Sequence, residues 1–122
     1  MSYDSKVGIL VSENAYKKTA KAIISNYPDS VKKDDKGNHY FEWNWTNWDE
    51  DFSSIKAILT GLKELDSTKE EYFGFIRIGE NYSSDEYGGD FEYRSNNIDY
   101  ILYSNVKIVG NIFNLDEFKE VA

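Results

Sequence analysis

The chain has no cysteine, one histidine and one proline among its 122 residues. The lack of thiols excludes disulfides, thiolate nucleophiles, zinc–thiolate sites and iron–sulfur clusters. A serine triad needs a general base, and the chain offers only His39 at the start of a predicted strand. Because no second histidine can share a metal ion or a proton with it, we expect His39 to be an ordinary surface residue.

Long apolar runs are also missing. Runs such as Tyr100–Tyr103 fall far short of the roughly 20 residues that a membrane-spanning helix needs. The N-terminal residues 1–4 lack the basic and then apolar layout of a signal peptide. We therefore expect a cytoplasmic protein with no membrane contact.

Motifs for cofactors are scarce. Gly88 and Gly89 are followed by acids and aromatics, whereas a phosphate-binding loop continues into a lysine and a helix. The segment 85–90 has oxygen ligands but not the spacing of a calcium loop. We expect no cofactor and no metal, and a weak metal site at 85–90 is left open.

What the chain does contain suits one folded domain spanning residues 1–122. Hydrophobic residues make up 40% and aromatic residues 16%, which is enough to build a core despite 30% charged residues. The net charge of −8 is uneven, because residues 1–40 carry seven lysines and five acids and the remainder carries seven basic residues and seventeen acids. Such a surface repels nucleic acid and attracts basic partners, although acidity also serves solubility alone.

Hydrophobic periodicity places the elements of the first half. Lys6–Val11 is a short apolar run typical of a buried strand, and Ser12 is a candidate N-cap for a helix that ends at Pro28. The polar residues 28–38 predict an exposed loop. His39–Trp45 alternates as a strand does.

The second half begins with another helix. Asp49–Asp51 are expected to supply its caps and first-turn acids, and an apolar stripe runs from Phe52 to Leu65. Tyr72–Ile78 predicts a central strand, and two further strands are expected near residues 90–94 and 99–109. Asn114 would cap a short last helix.

These elements give the order β-α-β-α-β-β-β-α, an α+β fold. Its simplest arrangement is a single mostly antiparallel sheet with helices on one face. The other face would be open unless loops cover it, and it is one candidate binding surface.

The tryptophans and one arginine carry further predictions. Trp43 and Trp45 are expected in the core, and Trp48 near the surface. Arg77 interrupts an apolar strand, so we expect it to form a structural ion pair with Glu42 or Glu92 on neighbouring strands.

Three segments resemble small uncharacterised bacteriophage and prophage proteins: Tyr40–Trp45, Trp48–Phe52 and Phe73–Glu80, together with the opening Tyr3–Val7. The resemblance covers about half of the chain, and Phe-Ile-Arg-Ile-Gly-Glu is its most specific part. It implies a phage setting, inside the host cytoplasm, and no known activity. The chain departs from the pattern after Glu80, where a denser run of acids is expected.

Three functions remain open at this point. The first is a non-enzymatic inhibitor that binds a basic groove of a host defence or nucleic-acid-handling protein, with acids standing where phosphates would lie. The second is a small carboxylate-based hydrolase or ligand-binding protein with a cleft at Trp48 and Arg77. The third is a virion assembly component, and self-association as a homodimer is left open. The predicted partner-binding residues are acids and tyrosines of the second half: Asp49, Glu50, Asp51, Glu80, Tyr82, Asp85, Glu86, Tyr87 and Asp90.

Overall fold

The computed structural model describes residues 4–79, 86–89, 91–93, 106–108, 111–113 and 118–121. Its helices are α1 (Glu13–Ile24) and α2 (Ser53–Lys63), with a 3₁₀ turn at Ser67–Lys69. Its strands are β1 (Ser5–Val11), β2 (Ser30–Lys33), β3 (His39–Thr46), β4 (Phe73–Gly79), β5 (Glu86–Gly89), β6 (Phe91–Tyr93), β7 (Val106–Ile108), β8 (Asn111–Phe113) and β9 (Lys119–Glu120).

The strands form a six-stranded sheet in the order β5-β4-β1-β3-β2-β9 and a three-stranded sheet in the order β6-β7-β8. All of the strand pairs described are antiparallel. The predicted α+β class is confirmed, and the predicted order of elements roughly matches. Strand β1 lies at the centre, between β3 and β4.

Local sequence accounts for the start of α1. The Ser12 hydroxyl accepts a hydrogen bond from the Ala15 backbone N–H, and Glu13 lies in the first turn. An N-cap serine satisfies one of the free N–H groups, and an acid here interacts favourably with the helix dipole. The predicted cap is confirmed.

Both helices lie on one face of the large sheet. The core there joins β1 side chains such as Val7 and Ile9 to Ile23 of α1 and Ile58 of α2. At 12 and 11 residues, the helices lie within the segments predicted to be helical. No helix in the described part of the chain is long and apolar enough to cross a bilayer.

The opposite face of the sheet is buried too. Leu10, Tyr40 and Ile76 are between 2% and 3% exposed, and the charged Lys6 and Glu42 are 6% and 3% exposed. The face that was predicted to be open unless loops cover it is therefore covered. The apolar run of β1 predicted a buried strand, but a local pattern does not show what covers the second face of the sheet.

Two predicted elements are also wrong. Within the predicted loop 28–38, Ser30–Lys33 forms β2 and pairs with β3. Within the predicted last helix, Lys119–Glu120 forms β9 and pairs with Lys32 and Lys33. Both strands are short, polar and peripheral, so they depend on pairing with distant segments and carry little local signal.

Candidate interaction surface

The acids at 49–51 do not cap α2. Its N-cap position is Phe52, which makes no side-chain capping bond, and the first turn holds no acid. The Asp49 carboxylate instead accepts a hydrogen bond from the Asp51 backbone N–H at 2.9 Å. The predicted capping role is wrong, although the acids still lie close enough to the helix start to feel its dipole. Helix capping therefore does not explain the acids Glu50 and Asp51.

Phe52 itself is an unusual N-cap. Serine, threonine, aspartate and asparagine are favoured there because their side chains accept a backbone N–H bond, which phenylalanine cannot do. The Phe52 side chain is 47% exposed, so it also buries only part of its ring. Neither capping nor packing explains a large aromatic residue at this position.

Tyr27 presents the same problem at the end of α1. Its φ angle is 51°, in the left-handed region that favours glycine or asparagine and that costs other residues roughly 1–2 kcal/mol. The side chain is 86% exposed. The turn at the end of α1 requires the left-handed backbone at Tyr27, but the exposed ring adds little packing.

Trp45, predicted to be in the core, is 42% exposed, while Trp48, predicted to be near the surface, is 1% exposed. Both predictions are wrong. Trp45 has a φ angle of 54°, and the register of β1 with β3 shifts between Ser5 and Val7, so the alternation that buries Trp43 fails at Trp45. Trp48 takes the core position and packs against Trp43, with ring centroids 5.1 Å apart.

Hydrogen bonds hold together the three segments that carry these aromatics. The Trp43 indole N–H donates to the Asn26 carbonyl oxygen at 2.9 Å, next to Tyr27. The Asn44 backbone N–H, next to Trp45, donates to the Asp29 carboxylate at 2.7 Å. The Asn26 side-chain amide donates to the Ser54 carbonyl oxygen at 3.1 Å, within the first turn of α2.

We name the exposed residues Tyr27, Trp45 and Phe52 the aromatic end. None of the three was predicted to lie on a binding surface. The available signals were a tyrosine before Pro28 at a helix end, where glycine is common, and a phenylalanine after three acids, where a cap is expected.

Carboxylates flank the aromatic end. Asp29, Glu50 and Asp51 are exposed, and no lysine or arginine of the described residues forms an ion pair with them. Large apolar rings beside unpaired acids attract side chains that have both an apolar stem and a positive charge. This arrangement suits recognition of a basic protein surface.

The other predicted binding residues lie largely outside the described part of the chain. Glu80, Tyr82, Asp85 and Asp90 are not among the described residues. Glu86 and Tyr87 are described only by their backbone, in β5. Their role remains a prediction.

The register bears on the predicted ion pair of Arg77. Val7 pairs with Arg77 and Gly8 pairs with Glu42, so Arg77 and Glu42 lie on opposite faces of the sheet. The sheet thus separates the two side chains, contrary to the prediction. The Arg77 Nε–H donates to the Ser5 hydroxyl at 3.0 Å. Glu92 is described only by its backbone, in β6.

A polar cluster centred on the buried Glu71 joins α1 to the turn before β4. Lys18 Nζ lies 2.6 Å from Glu71 Oε2, and the Asp66 backbone N–H donates to Glu71 Oε1 at 2.9 Å. The hydrogen bond from Lys18, followed by the one from Asp66, lowers the pKa of Glu71 below its ordinary value. The carboxylate is 5% exposed and both of its oxygens are engaged, so this cluster is structural.

His39 is half-buried and stacks on Tyr16, with ring centroids 3.6 Å apart and planes 4° apart. The expectation of an ordinary surface histidine is wrong. Its Nδ1 lies 2.8 Å from the Gly37 carbonyl oxygen, which can only accept, so Nδ1 carries the proton. Burial lowers the pKa of His39, against a smaller opposing effect of that hydrogen bond. The ring therefore serves as a neutral packing element.

Among the described residues, no three histidine, aspartate or glutamate side chains are grouped so that they could hold a metal ion. The chain matches no protein-family model, no curated protein and no solved structure. The features of this chain that bear on function are therefore the aromatic end and its acids.

Proposed function

We propose that this protein is a non-enzymatic binding protein that recognises a positively charged surface of another protein through the aromatic end and the acids beside it. One observation carries the proposal: three exposed aromatic residues occupy backbone positions that favour small or polar residues. Departures from local structural preference without gain in packing concentrate at functional sites.

The physical basis of binding is a combination of apolar and electrostatic contact. Exposed tyrosine and tryptophan rings supply large contact areas with few rotatable bonds, and such residues dominate the energy of many interfaces. The acids Asp29, Glu50 and Asp51 steer a basic partner and exclude acidic ones. The formal net charge of −8 adds a long-range attraction of the same sign.

The resemblance to bacteriophage and prophage proteins supports a setting for this activity. We propose that the protein acts in the host cytoplasm and inhibits a host protein by covering a basic groove that serves defence or nucleic-acid handling. The acids at 80–90 would extend the same surface.

Affinity capture from a bacterial lysate tests the proposal. We expect the wild-type protein to retain a basic protein whose recovery falls as salt rises, because exposed charges are screened over about 8–10 Å at moderate ionic strength. The double variant Glu50→Gln/Asp51→Asn should lose most of that recovery.

The matched control is Asp35→Asn/Glu64→Gln, which removes the same charge from exposed sites away from the aromatic end. It should retain the partner. Equal loss in both double variants, or recovery that does not change with salt, would contradict a local electrostatic surface.

A further inference from the structure

We infer that the aromatic end is a receptor for arginine, and that the partner presents an arginine-bearing segment rather than a lysine-bearing one. This inference rests on the proposed function and narrows it to one side chain. It is carried by two exposed rings on neighbouring backbone segments and by the exposed acids that flank the aromatic end.

The rings of Tyr27 and Trp45 belong to neighbouring backbone segments. Tyr27 lies between Asn26, which accepts the Trp43 indole N–H, and Asp29, which accepts the Asn44 backbone N–H. Trp45 directly follows Asn44. The Asp29 backbone N–H also donates to the Glu42 carbonyl oxygen at 2.8 Å, so the segment is fixed at several points.

Exposed aromatic rings on a well-held backbone favour guanidinium over ammonium. The arginine side chain is planar and weakly hydrated, stacks on aromatic faces and binds carboxylates through two parallel N–H bonds. A lysine ammonium is compact and strongly hydrated, so it gains less from a ring. Exposed carboxylates that can accept such bonds are those of Glu50 and Asp51, next to Phe52 in the chain, and the Asp29 oxygen that Asn44 does not engage.

The composition of the chain favours a different protein as the occupant over a second copy. Its two arginines are Arg77 and Arg94, against twelve lysines. Arg77 lies half-buried in β4 and donates to Ser5, so it is not presented to a neighbour. A second copy of this chain therefore carries few arginines that the aromatic end could bind.

Two fluorescently labelled peptides of equal length and charge test the inference, one with arginines and one with lysines at the same positions. Fluorescence anisotropy at low salt should show binding of both, with the arginine peptide tighter by about threefold or more, because guanidinium gains more than the strongly hydrated ammonium from stacking on a ring. In a ¹⁵N-labelled sample, the arginine peptide should shift the indole resonance of Trp45 and leave those of the buried Trp43 and Trp48 in place.

The key variant is Tyr27→Asn. Asparagine tolerates the left-handed backbone at this position, so the fold should be retained. The ratio of the affinity for the arginine peptide to that for the lysine peptide should fall to nearly one. Tyr27→Phe keeps the ring and should retain the preference. Glu70→Asn is the matched control, because Glu70 has a φ angle of 59° and lies away from the aromatic end.

The outcomes separate the two proposals. Equal affinity for both peptides, or a preference that survives in Tyr27→Asn, overturns the arginine receptor and leaves the binding function standing. Failure of both peptides to bind at low salt overturns the proposed function with it. Self-association that the peptides do not displace and that Tyr27→Asn abolishes would identify a second copy as the occupant and overturn the inference.

Discussion

Replacing Ser12 by alanine should cost far more stability than a surface serine usually does. The Ser12 hydroxyl accepts from the Tyr72 backbone N–H at 2.9 Å and from the Ala15 backbone N–H at 3.4 Å, and it donates to the Glu70 carbonyl oxygen at 2.9 Å. The residue is 7% exposed, so water cannot fully replace the lost partner. One hydroxyl thus caps α1 and fastens the segment that leads into β4.

The cost follows from these contacts. Loss of an N-cap costs about 1 kcal/mol, and each buried backbone group left without a partner costs about 1–3 kcal/mol before relaxation. Because the contacts share one atom they do not add fully, and we expect the free energy of unfolding to fall by about 2–3 kcal/mol. For a chain of this size the melting temperature should fall by roughly 8–15 °C.

Urea denaturation followed by tryptophan fluorescence measures the change, since Trp43 and Trp48 are buried. Ser25→Ala is the control, because the Ser25 hydroxyl donates to the Lys21 carbonyl oxygen from an exposed position and its loss should cost less than about 0.5 kcal/mol. Amide exchange should also quicken at Tyr72. A loss at Ser12 below about 1 kcal/mol would refute the assignment of a triple role to its hydroxyl.

Three further predictions concern other parts of the fold. Because the hydrogen bond from Lys18 lowers the pKa of Glu71 in the folded state, the stability it contributes is present above the ordinary carboxyl range and disappears as pH falls through the folded-state pKa. Denaturation at a series of pH values should therefore show that Glu71→Gln is less stable than the wild type at neutral pH and that this difference disappears in acid. Trp43→Phe should lower the free energy of unfolding by about 1 kcal/mol more than Trp48→Phe does in urea denaturation, because it breaks an indole hydrogen bond. Among the described residues, the Trp48 indole N–H has no acceptor to lose. Gly89→Ala should unfold at markedly lower urea, because the φ angle of Gly89 is 93° and a Cβ atom there would clash with the Phe73 carbonyl oxygen of β4; an unchanged midpoint would contradict that packing.

The regular elements of the first two thirds of the chain were predictable because their signals are local. The N-cap Ser12 marks the start of α1, and the alternation of His39–Trp45 predicts β3. The α+β class followed from the order of these elements. Strands β2 and β9 were missed because two to four polar residues acquire strand structure only through a distant partner.

The candidate site was predicted less well. The acids Glu50 and Asp51 were identified from charge, but the aromatic residues beside them were not. Period-two alternation predicts the face of a strand residue only while the backbone stays extended, and Trp45 departs from that geometry with a φ angle of 54°. A local pattern cannot show that Tyr27 and Phe52, far apart in the chain, are brought together by hydrogen bonds through Asn26.

The amino-acid sequence by itself determined the absence of thiol chemistry, the acidic balance and the principal helices and strands, because composition and periodicity are properties of the chain alone. Tertiary structure decided which tryptophans are buried, that both faces of the large sheet are covered, and which aromatic residues stay exposed. Those outcomes depend on pairing between residues distant in sequence, whose free energies no single segment encodes.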